Sequence, residues 1–401
     1  MEDNSKPNEE KVFHRKLFLP SLAMSYFTTG PLGVLAALLL VDIADTFKVT
    51  VGVMGQINTP YSIVAVVFAL LMGILSVRFK HKSLLLIGLL FVGISALGCF
   101  LASDYNIMLA SYSLGGLGWA MVSPMVITLI GEHFPLEKRA TAVGWVIAGG
   151  TLSYLIGAPA IAVIAGLGGW RLALLGFVIP ISLVGLLMAF IGLPSASPSQ
   201  QLAADKETYL RSFKEVLSNR SAVACLIGDL LRSAAFVAVY IYVASFVRER
   251  FAASRNFASI VILVAALCYT LGSLFGGRLV NKFGRKPSTF VTALLAGVFT
   301  ISYAYVPNLW VSLALVFVAC WFFGLVVSAA NCLTLEQVPK FRGTMMSIDT
   351  AAINLGAAFG TTVGGLALLY FNYEGLGSTL GAMGIVAAVV FFFLAVDPTK
   401  K

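Results

Sequence analysis

The chain has 401 residues, 59% of them hydrophobic and only 11% charged, against the roughly 25% charge with which a soluble domain wets its surface. A soluble enzyme is excluded, and so are collagenous and disordered chains: the 38 glycines keep no triplet period and 29 phenylalanines are too many for disorder. The net charge of +9 sits in short clusters between long apolar runs, which is a loop pattern and not a nucleic-acid-binding patch.

A helix that crosses a bilayer needs about 20 apolar residues. Such runs lie at 18–41, 53–77, 83–103, 107–131, 140–166 and 171–193, then at 221–247, 257–281, 288–306, 309–335, 343–371 and 376–396. The prediction is an all-α membrane protein of twelve transmembrane helices. A cytoplasmic tail spans 1–17, a six-helix half 18–193, a cytoplasmic linker 194–220, a second six-helix half 221–396 and a cytoplasmic tail 397–401. The runs are continuously apolar and too long for the alternating ten-residue strands of a barrel. The opening MEDNSKPNEEKVFHRK is polar and acidic, unlike a cleavable signal peptide. In the linker, PSASPSQQ leads into KETYLRSFKEVLSN, where Tyr209, Leu210, Phe213, Val216 and Leu217 fall at helical spacing. That spacing fits a short amphipathic helix on the membrane surface, or a plain linker helix.

Orientation follows from the loop Lys and Arg. With both termini cytoplasmic, the inside loops and tails carry 21 of them and the outside loops five: Lys48, Arg171, Arg248, Arg250 and Arg255. Arg232 lies in the interior of a span and completes the 27. The two halves also repeat. GILSVRFKHK at 73–82 and GRLVNKFGRK at 277–286 match at Gly73/Gly277, Arg78/Lys282, Phe79/Phe283 and Lys82/Lys286, each pair 204 residues apart. LIGEHFPLEKR and LTLEQVPKFR match at Glu132/Glu336 and Pro135/Pro339 with the same separation. Paired six-helix halves are the architecture of an alternating-access transporter.

Ionisable residues inside spans are costly and default to function. There are three: Asp229 and Arg232 in span 7, and Asp349 in span 11. Asp229, Arg232, Phe236 and Tyr240 advance by three, four and four residues, so they share one helical face. Both carboxylates lie at similar depth, roughly 10 Å from the cytoplasmic end, so Arg232 can bridge them. Two readings stay open: a carboxylate that takes and releases a proton as Arg232 changes partner, or a static brace. Small residues at i, i+4 spacing (Gly149, Ser153 and Gly157; Gly356 and Gly360) form faces for close helix packing in lipid, and Pro159 is expected to kink its span. Asp42 and Asp45, at the outer end of span 1, fit interfacial or gate roles. The five cysteines lie scattered in apolar runs and the three histidines in charged stretches, so neither a disulfide framework nor a metal site is expected. No glycine-rich nucleotide loop with lysine is present, and no cofactor is expected.

These residues resemble the major facilitator superfamily over nearly the whole chain. The family's loop G-x-x-x-D-R-x-G-R-[RK] appears twice, as 73–82 with Val77 in the acid's place and Lys80 in that of the second glycine, and as 277–286 with Asn281 for the acid. Three stretches are similar to its drug/proton antiporter (drug and sugar efflux) branch: LLLVDIADTFKVT at 38–50, GTLSYLIGAPAIAVIAGLGGWR at 150–171 and RGTMMSIDTAAINLGAAFG at 342–360. The branch's span 4 arginine is absent, since Tyr112 stands there. The resemblance implies cytoplasmic gating by Gly73, Arg78, Gly277, Lys282, Gly284 and Arg285, with expected salt bridges Glu132–Arg139 and Glu336–Arg342. Family geometry implies a cavity lined from Tyr26, Thr29, Asn58, Tyr61, Trp119, Met121, Met125, Tyr240, Tyr269, Trp321 and Asn331. For any single one of these, ordinary helix packing is the competing role.

The implied function is secondary transport, with no enzymatic step. The protein is expected in the inner (plasma) membrane as a monomer, exporting small apolar or amphipathic organic molecules in exchange for protons. The alternatives are a facilitated or proton-coupled transporter of a sugar-like or other polar solute, and a non-transporting membrane sensor or scaffold. Against the sugar reading stands the scarcity of Asn, Gln and acids in the spans.

Overall fold

The computed structural model describes residues 6–134, 136–194 and 206–397, and every regular element among them is helical. In chain order these are α1 (Lys6–Thr28), α2 (Pro31–Leu38), α3 (Leu40–Phe47), α4 (Val51–Gly55), α5 (Asn58–Arg78), α6 (His81–Leu101), α7 (Tyr105–His133) and α8 (Leu136–Ala173). A π-helical turn at Leu174–Val178 leads into α9 (Ile179–Gly192). Then follow α10 (Lys206–Ser218), α11 (Arg220–Phe251), α12 (Arg255–Phe283), α13 (Arg285–Tyr305), α14 (Leu309–Leu335) and α15 (Arg342–Phe393).

Short polar residues in the loops start the helices. Asp104 accepts from the amides of Asn106 and Ile107 at the head of α7, Asn219 from Ser221 and Ala222 before α11, and Asn308 from Trp310 and Val311 before α14. Each satisfies donors that a helix leaves open in its first turn.

Among the described residues, ten stretches are long and apolar enough to cross a membrane. Two of them, Gly149–Gly192 and Thr344–Phe393, run 44 and 50 residues, about twice what one crossing needs. Each is interrupted by two residues with non-helical backbone, Gly168–Gly169 in the first and Phe371–Asn372 in the second. The backbone of α8 remains helical through Pro159, and its break comes at the two glycines instead.

The run at 18–41 is not one continuous helix. The amides of Thr29 and Gly30 reach back only three residues, to Tyr26 and Phe27, and Pro31, which has no N–H to give, opens α2.

The chain forms two compact units, one of Met1–Leu35 with Val67–Ala203 and the other of Ala36–Val66 with Ala204–Lys401. Within the first, α1 packs on α8 and α9: a Cβ built at Gly149 would lie 2.6 Å from the Ala23 carbonyl oxygen, and Ser21 donates to the Met188 carbonyl at 2.9 Å. Within the second, α15 packs along α11. A Cβ at Gly356 would collide with the Leu230 carbonyl, and one at Gly360 with that of Ala234, so the two backbones meet as small-residue faces allow. Gly157 has a looser setting, with Phe177 3.7 Å from the position of a Cβ. The linker helix α10 docks on the second unit: Val216 is buried in a cluster with Cys225, Met345 and Phe391, and Thr344 donates to Ser212 at 3.0 Å.

Candidate functional site

A buried polar cluster sits where α11, α14 and α15 meet. Arg232 lies one turn along α11 from Asp229, and its guanidinium forks onto one carboxylate oxygen: Nε donates to Oδ1 at 2.8 Å and Nη2 to the same atom at 2.6 Å. The other oxygen, Oδ2, accepts from the Thr334 hydroxyl of α14 at 2.9 Å. Asp229 is fully buried, and Asp349 and Arg232 are nearly so. Asp349, from α15, lies near enough for its charge to act on this group. Its Oδ1 is buried and has no hydrogen-bond partner among the described residues.

The three ionisable residues singled out from the sequence therefore converge, with one change. Arg232 does not hydrogen-bond both carboxylates; it spends two donors on Asp229. The near, fork-compatible partner three residues away on the same helix wins the guanidinium. Thr334 was missed, because a threonine in an apolar run carries no charge signal.

Beside the cluster the wall is aromatic. Phe236, one turn further along α11, stacks on Tyr269 of α12 with ring centroids 4.3 Å apart, and Phe323 of α14 closes on it at 5.5 Å. The Tyr240 hydroxyl is buried, and the buried Oδ1 of Asn331 has no partner among the described residues. Trp321 packs on Phe275 at 5.6 Å in the α12–α14 seam. Asn58 donates to Ser62 at 3.3 Å within its own helix, and Tyr61 is half-buried on the same helix. In the first unit, Tyr26 faces Trp119 at 5.7 Å and Thr29 donates to the Tyr26 carbonyl at 2.7 Å. Met121 and Met125 are buried, Met121 against Gly88 of α6. The expected cavity residues thus divide between aromatic surfaces and helix seams.

At the loops expected outside, Asp42 of α3 is a double acceptor: Oδ2 takes Arg248 and Oδ1 takes Arg255. Next to it, Tyr242 of α11 donates to the carbonyls of Gly52 and Thr361 at 3.4 and 3.2 Å. The Thr59 hydroxyl lies 3.2 and 2.8 Å from those of Thr361 and Thr362 on α15. Together these contacts tie residues 42–59 to α11, α12 and α15 inside the second unit. Asp42 is held by two arginines, whereas Asp45 is exposed.

Of the expected gating residues, Gly73 falls within α5, while the side chains of Arg78, Arg139 and Arg342 lie outside the described residues, and with them the two expected salt bridges. Glu132 Oε1 accepts from His81 Nδ1 at 2.7 Å. Gly284 has φ of +90° between α12 and α13, a backbone that favours glycine. Gly277 faces open space, Lys282 lies over the Phe283 ring at 5.2 Å, and Arg285 and Glu336 are half-buried.

Residues 19–252 and 233–401 each match the family model described as Major Facilitator Superfamily. The chain is 24% identical over 361 residues to an uncharacterized MFS-type transporter, YceJ, of Bacillus subtilis (strain 168), covering 90% of this chain and 91% of that one. It is 23% identical over 387 residues to another from that organism, YbcL, covering 95% and 96%. Among solved structures, a D-xylose-proton symporter superposes with a TM-score of 0.81 at 16% identity, covering 97% of this chain and 99% of that one. The nucleoside transporter NupG gives 0.79 at 16% identity with 94% and 99% covered. A bacterial homolog to the human lysosomal transporter Spinster gives 0.77 at 17% identity with 98% of each covered. At these identities the likeness is one of fold.

Proposed function

Because this chain belongs to the major facilitator superfamily, we propose that it is a proton-coupled secondary transporter that exports small apolar or amphipathic organic molecules in exchange for protons. It crosses the inner (plasma) membrane twelve times, as a monomer with both termini cytoplasmic. The two long helical stretches supply two crossings each, divided at Gly168–Gly169 and Phe371–Asn372. The sequence halves 18–193 and 221–396 are the repeated units of this architecture.

The observation that carries the reading is the buried Asp229–Arg232–Asp349 group lying against an aromatic wall. An intramembrane charge cluster costs too much to be kept as filler. It holds two carboxyls against one guanidinium, so proton uptake and release change its net charge. Phe236, Tyr269 and Phe323 beside it offer stacking and apolar contact with few directed hydrogen bonds, which suits an apolar or amphipathic solute better than a sugar.

The test begins with a thermal-shift screen of the purified protein against lipophilic cations, neutral drugs, lipids, sugars and nucleosides. The best hit is then followed in proteoliposomes under an imposed pH gradient. Uphill movement of an amphipathic hit against the proton gradient supports the reading. Stabilisation by sugars alone, or flux indifferent to the pH gradient, overturns it.

A further inference from the structure

We propose that the α12–α13 turn and the end of α15 form a binding site for an anionic phospholipid. Arg278, Lys282 and Lys286 hold its phosphate, and its chains lie along the exposed apolar face of α13 and α15. The site lies within the second unit and does not depend on the transport reading; only its assignment to the cytoplasmic leaflet rests on the orientation proposed above.

Between Glu249 and Glu336 the sequence holds no Asp or Glu, so these three cations have no acid on their own helices. Arg278 and Lys282 are four residues apart on α12 and share a face. Gly284, at φ +90°, turns the chain, and Ser288 donates to the Leu279 carbonyl at 3.3 Å. The first turn of α13, with Lys286, is thereby laid against the last turns of α12. Phe392 packs on Phe290 with centroids 4.7 Å apart and brings in the end of α15.

Each cation rests on an aromatic face: Arg278 over Phe275 at 5.2 Å, Lys282 over Phe283 at 5.2 Å and Lys286 over Phe392 at 5.5 Å. A ring attracts the charge but satisfies few of its N–H donors. Among the described residues none of the three makes a hydrogen bond or an ion pair. The first copy of the loop differs. There Lys82, the counterpart of Lys286, donates to the carbonyls of Phe190 and Leu193, and His81 is paired with Glu132. The protein itself satisfies those groups and leaves the second set open.

Unbalanced Lys and Arg donors suit a phosphate oxygen. Gly284 gives α13 no side-chain cap, so the amides of its first turn are further donors at the same place. The surroundings favour a lipid over a soluble anion. Phe283, Phe392 and Phe393 are exposed, and Val291 and Val389 continue that apolar surface along α13 and α15. Cations beside exposed rings and aliphatic side chains match the boundary between headgroup and acyl chain. A zwitterionic ammonium headgroup finds no carboxylate in the turn, because exposed Asn281 stands where the acid of the family's loop would be.

The experiment uses the purified, delipidated full-length protein. Native mass spectrometry follows its titration with dioleoylphosphatidylglycerol, dioleoylphosphatidylethanolamine or dioleoylphosphatidylcholine, with inorganic phosphate as soluble competitor. Wild type is expected to retain phosphatidylglycerol under conditions that strip the other two. Combined Arg278→Gln, Lys282→Gln and Lys286→Gln is expected to weaken that binding at least about tenfold, since each basic side chain near the surface attracts anionic lipid. A control with the same loss of charge, Lys214→Gln with Arg220→Gln and Lys340→Gln at other exposed positions, is expected to bind like wild type. Asn281→Asp removes no contact and sets a carboxylate among the three cations. It is expected to weaken phosphatidylglycerol binding several-fold with an unchanged gel-filtration profile. Equal losses in the two triple variants would reduce the site to net charge and overturn the proposal. Equal binding of the three lipids, wild-type affinity in Asn281→Asp, or displacement of the lipid by an equal concentration of inorganic phosphate would overturn it too.

Discussion

Asp42 and Arg248, 206 positions apart in the chain, share a charge-assisted hydrogen bond, and the second oxygen of the same carboxylate takes Arg255. One acid therefore accepts from two arginines that flank the α11–α12 turn, and draws α3 onto it. Asp42→Asn keeps the shape but removes the negative charge that both guanidinium groups share. The expected cost is about 1.5–3 kcal/mol, read as a lower melting temperature. Maleimide labelling of a cysteine placed at Gln56 should become faster. Unchanged labelling and melting would show that the fork contributes nothing.

The same fork sets a pH dependence. Burial pushes the Asp42 carboxyl up, but hydrogen bonds and charge from Arg248 and Arg255 outweigh it, so the group lies below its ordinary value. A carboxyl lowered by folding adds stability above its unfolded pKa of about 3.9 and loses it as pH falls through the folded value. The melting-temperature gap between wild type and Asp42→Asn should thus stay constant from about pH 8 to about pH 5 and shrink only below about pH 4. A gap already shrinking near pH 6 would assign the acid sensitivity to another group.

Glycine positions separate by what surrounds them. Gly360→Ala pushes a methyl into the Ala234 carbonyl of a neighbouring helix backbone, and overpacking of this kind costs about 1–3 kcal/mol. Gly157→Ala meets nothing nearer than Phe177 at 3.7 Å, and alanine is favoured over glycine in a helix by up to about 1 kcal/mol. Thermal unfolding in detergent should place Gly360→Ala below wild type and Gly157→Ala at or above it. The opposite order would mean that α15 does not approach α11 as described.

Within the loop at 277–286 the same contrast has a backbone origin. Gly284 sits at φ +90°, while Gly277 is helical with open space around it. Gly284→Ala should cost about 1–3 kcal/mol and Gly277→Ala little or nothing, measured by the same unfolding assay.

At the second copy's counterpart, Lys82 donates to the carbonyls of both Phe190 and Leu193, at the end of α9. The loop at 277–286 keeps Gly284 and Arg285 where the first copy has Lys80 and His81, so it is expected to hold the cytoplasmic side more strongly. The test is cytoplasmic cysteine accessibility, expected to rise more for Arg285→Ala than for Lys82→Ala. Equal responses would show that the carbonyl contacts of Lys82 compensate for its missing glycine.

The helical membrane class, the apolar runs and the intramembrane charges were legible in the sequence, because lipid imposes a rule on every residue it touches. Twenty apolar residues mark a crossing, and a charge within one is conspicuous by its cost. Asp229, Arg232 and Asp349 stood out for that reason, and the shared face of Asp229, Arg232 and Phe236 followed from helical spacing alone. Which acid takes the arginine was decided only in three dimensions. Spacing along α11 makes the Asp229 fork available, but the approach of Asp349 depends on how α15 lies against α11, which the glycines at 356 and 360 permit and do not announce. Thr334 and Thr59 carry no charge, and Tyr242 is one aromatic among many, so their roles exist only as contacts. Asp42 was visible as a charge at a helix end; that it serves two arginines more than 200 residues away is a property of the fold.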